Sequence, residues 1–354
     1  MTYLDYQATT PLAPEAFDAM LPWLRDQHAN PHSAHRPGRA AKAAVEVARE
    51  QVAALLPKGG RIVFTSGATE ALNWAIKSTR GGIVTLATEH AAVLDTVQAT
   101  GRPLTVQGVR HDGLVAIDAI RHGTGLVAAM LVNNEIGVIQ PIADLAARAH
   151  DAGALMLCDA VQGYGRVAIP GTCDLIAISA HKIHGPKGIG ALWIRDGVGL
   201  EPLLHGGDQE GGRSGTLSPA LCAGFGIAAR LMAERHDEDS AHLERLWSLA
   251  TDRLRGWTIN GSTDHRYYGN LNIRRDGLDV ARLMSDLRDI AFSAGSACAS
   301  GSGRPSHVLR AIGLTDAQAR SSIRLGFGRY TTEAELADVL DRITAAADAQ
   351  RIAA

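Results

Sequence analysis

The chain has 354 residues, of which 46% are hydrophobic and 20% are charged, and its formal net charge is −2. This length allows one large domain and a smaller one, and the composition is that of an ordinary globular protein. A nearly neutral chain without a basic block has no electrostatic attraction for nucleic acid or for an anionic membrane surface. No apolar run approaches the roughly 20 residues of a membrane span, so we expect neither nucleic acid nor membrane as a partner.

The N-terminal stretch and the cysteines together predict the cellular compartment. The N-terminal stretch MTYLDYQATT has neither a basic nor an apolar segment, so we expect no signal peptide. The four cysteines, Cys158, Cys173, Cys222 and Cys298, form no CxxC pair. This argues against a disulfide framework and against structural zinc. We therefore predict a cytoplasmic protein with reduced thiols and no metal site.

Helical and strand-like segments alternate over the first two thirds of the chain. Apolar residues at helical spacing predict helices over 38–56 and 71–77. Short apolar or β-branched runs predict strands at 61–65, 83–87, 126–132, 154–158 and 174–179. Because no polar residues alternate with the apolar ones, we expect an α/β fold whose sheet is covered on both faces and mostly parallel.

The pattern changes after Gly215. A long helical stretch over 218–255 is followed by shorter elements. These are a strand at 270–274, a helix over 278–287, short segments at 291–295 and 322–328, and a helix from about Thr332. This succession predicts a smaller α+β domain. We assign residues 13–245 to the large domain, and residues 1–12 and 246–354 to the small one.

Polar side chains gather where the predicted strands end, which is the edge at which open α/β sheets bind ligands. The segment SGATE (66–70) lies between a strand and a helix, and its backbone N–H groups could bind a phosphate. An ordinary helix N-cap would explain the same residues. His90 and Asn134 also follow strands, where a structural histidine or an Asn-rich turn needs no ligand.

Asp159 and Lys182 indicate more specific chemistry. Asp159 follows the apolar run 154–158, and a buried acid needs a cationic or donor partner, although a helix N-cap would also satisfy it. Lys182 follows another such run, and a lysine amine that loses solvation has a lowered pKa and becomes nucleophilic. A lysine on a surface loop is the alternative, and we assign the nearby Lys187 to that class.

Taken together, these groups predict one ligand, a phosphorylated aromatic aldehyde with a basic ring nitrogen. The phosphate matches the turn at 66–70, with Ser179 and His181 as further donors. The ring nitrogen matches Asp159, and the aldehyde would form a Schiff base with Lys182. Pyridoxal 5'-phosphate (PLP) has all of these features, and a lysine and an aspartate are what proteins contribute to its chemistry.

Ordered motifs extend along nearly the whole chain. They are YLDYQATTP (3–11), NPHSAHRPG (30–38), FTSGATE (64–70), TEHAAVLDT (88–96), VNNEIGVIQP (132–141), SAHKIHGPKGIGAL (179–192), RSGT (213–216), GSACASG (295–301) and SSIRLGFGRYTT (321–332). In this order they resemble the cysteine desulfurases of the NifS/IscS type, which are class V aminotransferase-like PLP enzymes. The resemblance implies PLP fold type I, with a large domain built on a mostly parallel sheet and a smaller α+β domain.

The resemblance also implies a role for each site residue. Lys182 would bind the cofactor covalently and move substrate protons, while His90 would stack on the ring and Asp159 would keep the ring nitrogen protonated. The other cofactor contacts it implies are Gln162 at the phenolic oxygen, Ala68, Thr69, Ser179 and His181 at the phosphate, and Thr216 from the second subunit of a homodimer. Arg324, aided by Asn134, would bind the substrate α-carboxylate, which suits an arginine fork.

Cys298 lies in FSAGSACASGSGRPS (292–306), a run of small residues that predicts a flexible loop with an exposed thiol. The usual alternative for a free cysteine is packing, which we adopt for Cys158, Cys173 and Cys222. The resemblance implies that Cys298 takes the sulfur of L-cysteine as a persulfide, with His90 as a candidate acid or base. The sulfur would pass to an acceptor protein such as an iron–sulfur scaffold.

Other functions are compatible with the same residues. A selenocysteine lyase, or an aminotransferase or lyase for another amino acid, would share the cofactor site. An inactive structural or binding homologue is an alternative of another class, against which the intact set of Lys182, Asp159, His90, Arg324 and Cys298 argues. A nucleotide-binding Rossmann protein is not supported, because no GxGxxG follows the first strand.

Overall fold

The computed structural model describes residues 1–117, 120–207, 209–295 and 305–352. The strands are β1 (Thr2–Tyr3), β2 (Gly60–Thr65), β3 (Gly82–Leu86), β4 (Leu104–Gln107), β5 (Thr124–Met130), β6 (Leu155–Asp159), β7 (Leu175–Ser179), β8 (Gly190–Arg195), β9 (Thr258–Ile259), β10 (Asn270–Arg274), β11 (Ile290–Ala291) and β12 (Ser322–Gly326). The helices are α1 (Pro14–Arg25), α2 (Arg36–Ala53), α3 (Ala68–Ser78), α4 (Ala91–Ala99), α5 (Ile142–Asp151), α6 (Pro219–Glu234), α7 (His236–Arg253), α8 (Val280–Asp286), α9 (His307–Ala311), α10 (Asp316–Arg320) and α11 (Glu333–Ile352).

A seven-stranded sheet forms the centre of the fold, in the order β2-β8-β7-β6-β5-β3-β4. Strands β4, β3, β5, β6 and β7 are parallel, whereas β8 is antiparallel to both of its neighbours, β7 and β2. The predicted α/β fold with a mostly parallel sheet is therefore confirmed. Strand β8 was not predicted, although its sequence GALWIR is also largely apolar.

Helices cover both faces of this sheet, which explains why its strands are continuously apolar. Alternate residues along a strand point to opposite faces. Leu175 and Leu192 pack in the core beneath α3 and α4, whereas Ile176 and Trp193 pack in the core on the other face, with α2, α5 and α6. The carboxyl ends of the parallel strands therefore open at one edge, between two helical layers.

The C-terminal third forms a second, smaller sheet, in the order β12-β10-β9, with antiparallel pairing. The N-terminal strand β1 pairs with β11, so that Thr2 lies opposite Ile290. The N-terminal strand therefore pairs with the C-terminal third of the chain. The predicted domain boundary at 245/246 falls inside the continuous helix α7, and the exact division stays a prediction.

The predicted helical stretch 218–255 is two helices that meet at Arg235, which has φ −110° and ψ 12°. The first turn of α7 carries Asp237, Glu238 and Asp239, and acidic residues stabilise a helix N-terminus. The break also directs Asp239 toward Arg329, whose Nη2 lies 2.6 Å from the carboxylate. Among the described residues, no helix combines the length and apolar character needed to cross a bilayer.

Helices α2 and α6 cross in close contact beneath the sheet. A Cβ atom placed on Gly226 of α6 would lie 2.7 Å from Cα and 3.0 Å from Cβ of Ala48 in α2. Ala48 is buried, and backbone atoms of a packed helix cannot move aside without displacing their neighbours. A glycine is therefore required for this approach of the two helices.

We predict that Gly226→Val lowers the free energy of unfolding by about 1–3 kcal/mol, because the added side chain overpacks the contact between α2 and α6. Urea denaturation followed by circular dichroism measures the change. Gly199→Val is the matched control, since a Cβ at Gly199 meets no atom within 4 Å. Equal stability of the two variants would contradict the prediction.

Candidate active site

A sharp turn after β7 places Lys182 at the edge of the sheet. The strand ends at Ser179, and a 3-10 turn over Ala180–Lys182 follows directly. His184 then adopts a left-handed backbone conformation, with φ 66°, which few non-glycine residues tolerate. Its N–H donates to Oγ1 of Thr10 at 2.7 Å, and its Nδ1 lies 3.0 Å from the carbonyl of Pro11. His184 therefore holds the turn in place. It does not line the cavity that is described below.

The amine of Lys182 is buried and is held by main-chain carbonyls. Its Nζ donates to the carbonyl oxygens of Gln7 at 2.5 Å and Ala8 at 2.8 Å. Burial, together with the nearby cations Arg324 and Arg166, lowers the pKa of Lys182 from 10.5 to about 8. A substantial fraction of the amine is therefore neutral near physiological pH, as a lysine nucleophile requires.

A cavity of about 270 Å³ lies beside this amine. Its size is close to the lower end of the range for small-molecule sites, about 300–1,000 Å³. Ten residues predicted from the sequence line it, namely Ala68, Thr69, His90, Asn134, Asp159, Gln162, Ser179, His181, Lys182 and Arg324. Thr216 is exposed and does not line this cavity. Cys298 lies outside the described residues.

Asp159 and His90 lie on the wall formed by the strand ends. Asp159 is the last residue of β6, and its Oδ1 accepts the N–H of Val161 at 3.0 Å. Burial raises the pKa of Asp159, so a cationic ligand beside it would be strongly favoured. His90 caps α4, and its Nδ1 accepts the N–H of Ala92 at 3.0 Å. Burial lowers the pKa of His90, so the neutral ring carries its proton on Nε2.

The N-terminus of α3 borders the same cavity and has the chemistry of an anion site. Within the described part of the chain, the N–H groups of Ala68, Thr69 and Glu70 have no backbone acceptor. Such groups, together with the helix dipole, bind phosphate readily. His181 lines the same cavity, and its Nδ1 lies 3.1 Å from Oγ1 of Thr9. Burial lowers the pKa of His181 to about 4, so it acts here as a neutral hydrogen-bonding group.

Arg324 brings a buried cation to the cavity from β12. Only 1% of its surface is exposed. Its Nη1 donates to the carbonyl of Asn134 at 3.0 Å, and its Nη2 donates to Asp5 at 2.7 Å and to Oγ of Ser293 at 3.2 Å. Among the described residues its Nε has no acceptor, although it is buried. A buried donor without a partner is costly, and an anionic ligand would relieve that cost. Asn134 supports Arg324 through its main chain.

The N-terminal segment supplies groups that the sequence did not identify. The motif YLDYQATTP contributes to the family resemblance, but the sequence predicts no role for its individual residues. The carbonyl of Gln7 accepts from Nζ of Lys182 and, at 2.9 Å, from Nε2 of Gln162. Asp5 pairs with Arg324. These partners lie more than 150 residues apart in the sequence, so the motif itself was the only available signal.

The three described cysteines play a packing role, as predicted. Cys158, Cys173 and Cys222 are free and fully buried. A hydrogen bond to Cys173 and burial raise the pKa of Cys158, and burial raises the pKa of Cys222 to about 12. Thiols that stay protonated are poor nucleophiles, so Cys158 and Cys222 are not suited to sulfur chemistry, and Cys173 is fully buried.

The residues of the cavity fit PLP. The lowered pKa of Lys182 suits an aldehyde-binding amine, the buried carboxylate of Asp159 suits a ring cation, and the N-terminus of α3 suits a phosphate. The Nε group of Arg324 has no acceptor among the described residues. It therefore adds a place for a second anion, such as a substrate carboxylate. The sites for phosphate, ring nitrogen and amine all border one cavity.

Comparisons with known proteins agree with this chemistry. The model of the aminotransferase class-V family matches residues 2–339. The chain is 46% identical to the mitochondrial cysteine desulfurase of Eremothecium gossypii, over 97% of this chain and 75% of that protein. It is 41% identical to the cysteine desulfurase IscS of Rickettsia bellii, over 94% of this chain and 88% of that protein.

A solved structure described as a NifS-like protein has the same fold. It superposes with a TM-score of 0.89 at 32% identity, and the match covers 97% of this chain and 98% of that one. The family match, the sequence identities and the shared fold agree with one another. The chain therefore belongs to the aminotransferase class-V family, among the cysteine desulfurases, which are PLP-dependent enzymes of fold type I.

Proposed function

We propose that this protein is a cysteine desulfurase, which converts L-cysteine to L-alanine and keeps the sulfur as a persulfide on Cys298. One observation carries the proposal. The buried amine of Lys182 borders the same cavity as a carboxylate for a ring cation, Asp159, and a cation for a substrate carboxylate, Arg324. This is the set of groups that PLP chemistry on an amino acid requires.

In this proposal, PLP supplies when bound an electron-accepting ring that stabilises negative charge at the substrate Cα. Asp159 would hold the ring nitrogen in its cationic form, and the side chain of Gln162 would donate to the phenolic oxygen. His90 would stack on the ring. The N-terminus of α3 at Ala68 and Thr69 would hold the phosphate, with Ser179 and His181 as further donors.

Lys182 moves the proton at the substrate Cα. Its pKa is about 8, so the amine is mostly neutral above that pH. A neutral amine can accept a proton. The carbonyls of Gln7 and Ala8 are placed to hold the ammonium that results, since both already accept hydrogen bonds from Nζ. The N-terminal segment that contains Gln7 and Ala8 thus also stabilises the charged form of Lys182.

Arg324 orients the substrate by its α-carboxylate. Three of its five N–H groups are bonded to Asn134, Asp5 and Ser293, so the guanidinium has a fixed position. A fixed cation selects the pose in which the substrate Cα faces Lys182.

The sulfur step needs no oxidant or reductant other than the thiol of Cys298 and the substrate. The carbon–sulfur bond of L-cysteine breaks and a sulfur–sulfur bond to Cys298 forms, so that the carbon is reduced and the thiol sulfur is oxidised. The atoms of L-cysteine and the enzyme thiol reappear as L-alanine and the persulfide. His90 serves as the acid or base for the thiol proton, since histidine is the side chain that most often transfers protons in catalysis.

The proposal also covers the oligomeric state, the cellular compartment and the sulfur acceptor. We expect a homodimer in which Thr216 reaches the phosphate in the partner's pocket, because it is exposed and lies away from the cavity of its own chain. The cytoplasm is the proposed compartment, since the three described cysteines are free thiols. An iron–sulfur scaffold protein is the proposed sulfur acceptor.

The function is tested with purified protein, L-cysteine and a reducing thiol, by measuring sulfide and alanine. The wild type should release both in equal amounts. Lys182→Ala and Cys298→Ala should each lose the activity by about 10³-fold or more, because each removes a group that bonds covalently during the reaction. The controls are Lys187→Ala, an exposed lysine, and Ser300→Ala, a neighbour of Cys298 in the sequence.

Two outcomes would redirect the proposal. A PLP-loaded wild type that releases no sulfide would contradict it and would call for a test of other amino acids. A wild type that acts on selenocysteine but releases no sulfide from L-cysteine, with full selenocysteine activity kept in Cys298→Ala, would identify a selenocysteine lyase.

The role of Arg324 is tested with Arg324→Lys, which keeps the charge and loses the planar fork. We expect KM for L-cysteine to rise about tenfold to 100-fold, since a hydrogen bond to a charged group contributes about 1.5–3 kcal/mol. Steady-state kinetics should show a smaller change in kcat. Arg342→Lys, which alters an exposed ion pair with Asp289, is the control. An unchanged KM would exclude Arg324 from carboxylate binding.

The pKa of Lys182 predicts how the cofactor-free protein captures PLP. Burial disfavours the ammonium, so the neutral amine predominates above about pH 8, whereas an ordinary lysine needs pH 10.5. The rate of covalent capture should therefore rise with pH to a plateau, with a midpoint near 8. Stopped-flow absorbance measures the rate, and Lys187→Ala should behave like the wild type. A midpoint near 10.5 would show that the amine is solvated.

A further inference from the structure

Arg166 lies behind the cavity and joins two residues of the cofactor site. It follows β6 in the chain and does not line the cavity itself. Its Nη1 donates to the side-chain Oε1 of Gln162 at 3.0 Å and to the main-chain carbonyl of Gln162 at 3.2 Å. Its Nη2 donates to the main-chain carbonyl of Lys182. One guanidinium therefore connects both residues.

These bonds allow only one orientation of the Gln162 amide. A guanidinium has only donors, and a carbonyl oxygen has only lone pairs. The amide must therefore direct Oε1 to Arg166 and Nε2 to the carbonyl of Gln7, which it contacts at 2.9 Å. The second hydrogen of Nε2 is then available to a ligand oxygen in the cavity, which Gln162 lines. Without Arg166, only the contact of Nε2 with the carbonyl of Gln7 would orient the amide, so its nitrogen would be held less firmly toward the ligand.

The charge of Arg166 also faces the catalytic lysine. Among the described residues, no carboxylate lies within 4 Å of Arg166, and its guanidinium lies over the ring of Tyr267, 5.0 Å from the centroid. The cation is thus not neutralised by an ion pair. The charged and titratable groups that face Lys182 are Arg324 and Arg166, the carboxylates Asp159 and Asp5, and the imidazoles His90 and His181. Of the two arginines, Arg324 pairs with Asp5, whereas Arg166 has no carboxylate partner in the described part of the chain.

We propose that Arg166 is a positioning residue for the cofactor, which it serves by fixing the Gln162 amide and by placing a cation behind Lys182. The inference rests on the proposed function for the identity of the ligand oxygen that Gln162 meets. Arg166 itself touches neither cofactor nor substrate. Its effect is therefore expected in cofactor affinity and in the titration of Lys182, both of which are measured without turnover.

The amide arm is tested with pyridoxine 5'-phosphate, which has the phenolic oxygen but no aldehyde to react with Lys182. Arg166→Met should raise its Kd about threefold to tenfold, the range for one hydrogen bond. Gln162→Ala should weaken binding by a similar factor. If Arg166 acts through Gln162, the double variant should bind no more weakly than Gln162→Ala alone, since coupled residues are not additive. Additive losses would overturn this arm.

The charge arm is tested by the pH dependence of PLP capture in the cofactor-free protein. Arg166→Met removes a cation that disfavours the ammonium of Lys182, so the midpoint should move to higher pH. Arg166→Lys keeps a charge and should leave the midpoint closer to that of the wild type, while its Kd for pyridoxine 5'-phosphate should rise because the fork is lost. An unshifted midpoint in Arg166→Met would overturn this arm.

Arg195→Met is the matched control for a general loss of packing. Arg195 also donates to main-chain carbonyls and also lies over an aromatic ring, that of Trp193, but at the end of β8 remote from the cavity. Equal effects of Arg195→Met and Arg166→Met on affinity would show a merely structural role and overturn the inference. No readout uses L-cysteine. A PLP-loaded wild type without sulfide release would therefore reject only the proposed function.

Discussion

A buried amine held by two main-chain carbonyls is the interaction on which this site depends. The contacts of Lys182 with Gln7 and Ala8 join the end of β7 to the N-terminal segment, across 175 and 174 residues of sequence. Burial lowers the pKa of the amine, while the carbonyls accept its protons. A lysine exposed at the same strand end would stay charged and would be a poor nucleophile. The packing of the N-terminal segment is therefore part of the chemistry.

The charges around the cavity are arranged for a ligand with separated charges. The N-terminus of α3 favours an anion at one end, and the buried carboxylate of Asp159 favours a cation at the strand ends. Arg324 adds a second anion site, and its charge is balanced by Asp5. Because a buried charge without a partner is costly, each of these groups restricts where a ligand can place its own charges.

The N-terminal segment and Arg166 reach the site from opposite sides and share its residues. Gln162 donates to Gln7 on one side and accepts from Arg166 on the other. Lys182 donates from Nζ to the N-terminal segment and accepts from Arg166 at its carbonyl. A side chain that is held by hydrogen bonds from two directions keeps a single geometry. This lowers the free-energy cost of organising the site when a ligand binds.

The sequence by itself determined five of the seven strands of the central sheet and the residue types of the site. Continuous apolar runs are buried on both faces wherever they occur, so the strands that end at Asp159 and Ser179 were predictable, and so was a ligand at their carboxyl ends. Only the tertiary structure decided what holds that site. Gln7 acts through its main-chain carbonyl, a group that every residue possesses, and a sequence carries no signal for it. The contacts of Asp5 with Arg324 and of Arg166 with Lys182 depend on how distant segments pack. The same holds for the break at Arg235, where the pairing of Asp239 with Arg329 accompanies a turn that helical periodicity cannot reveal.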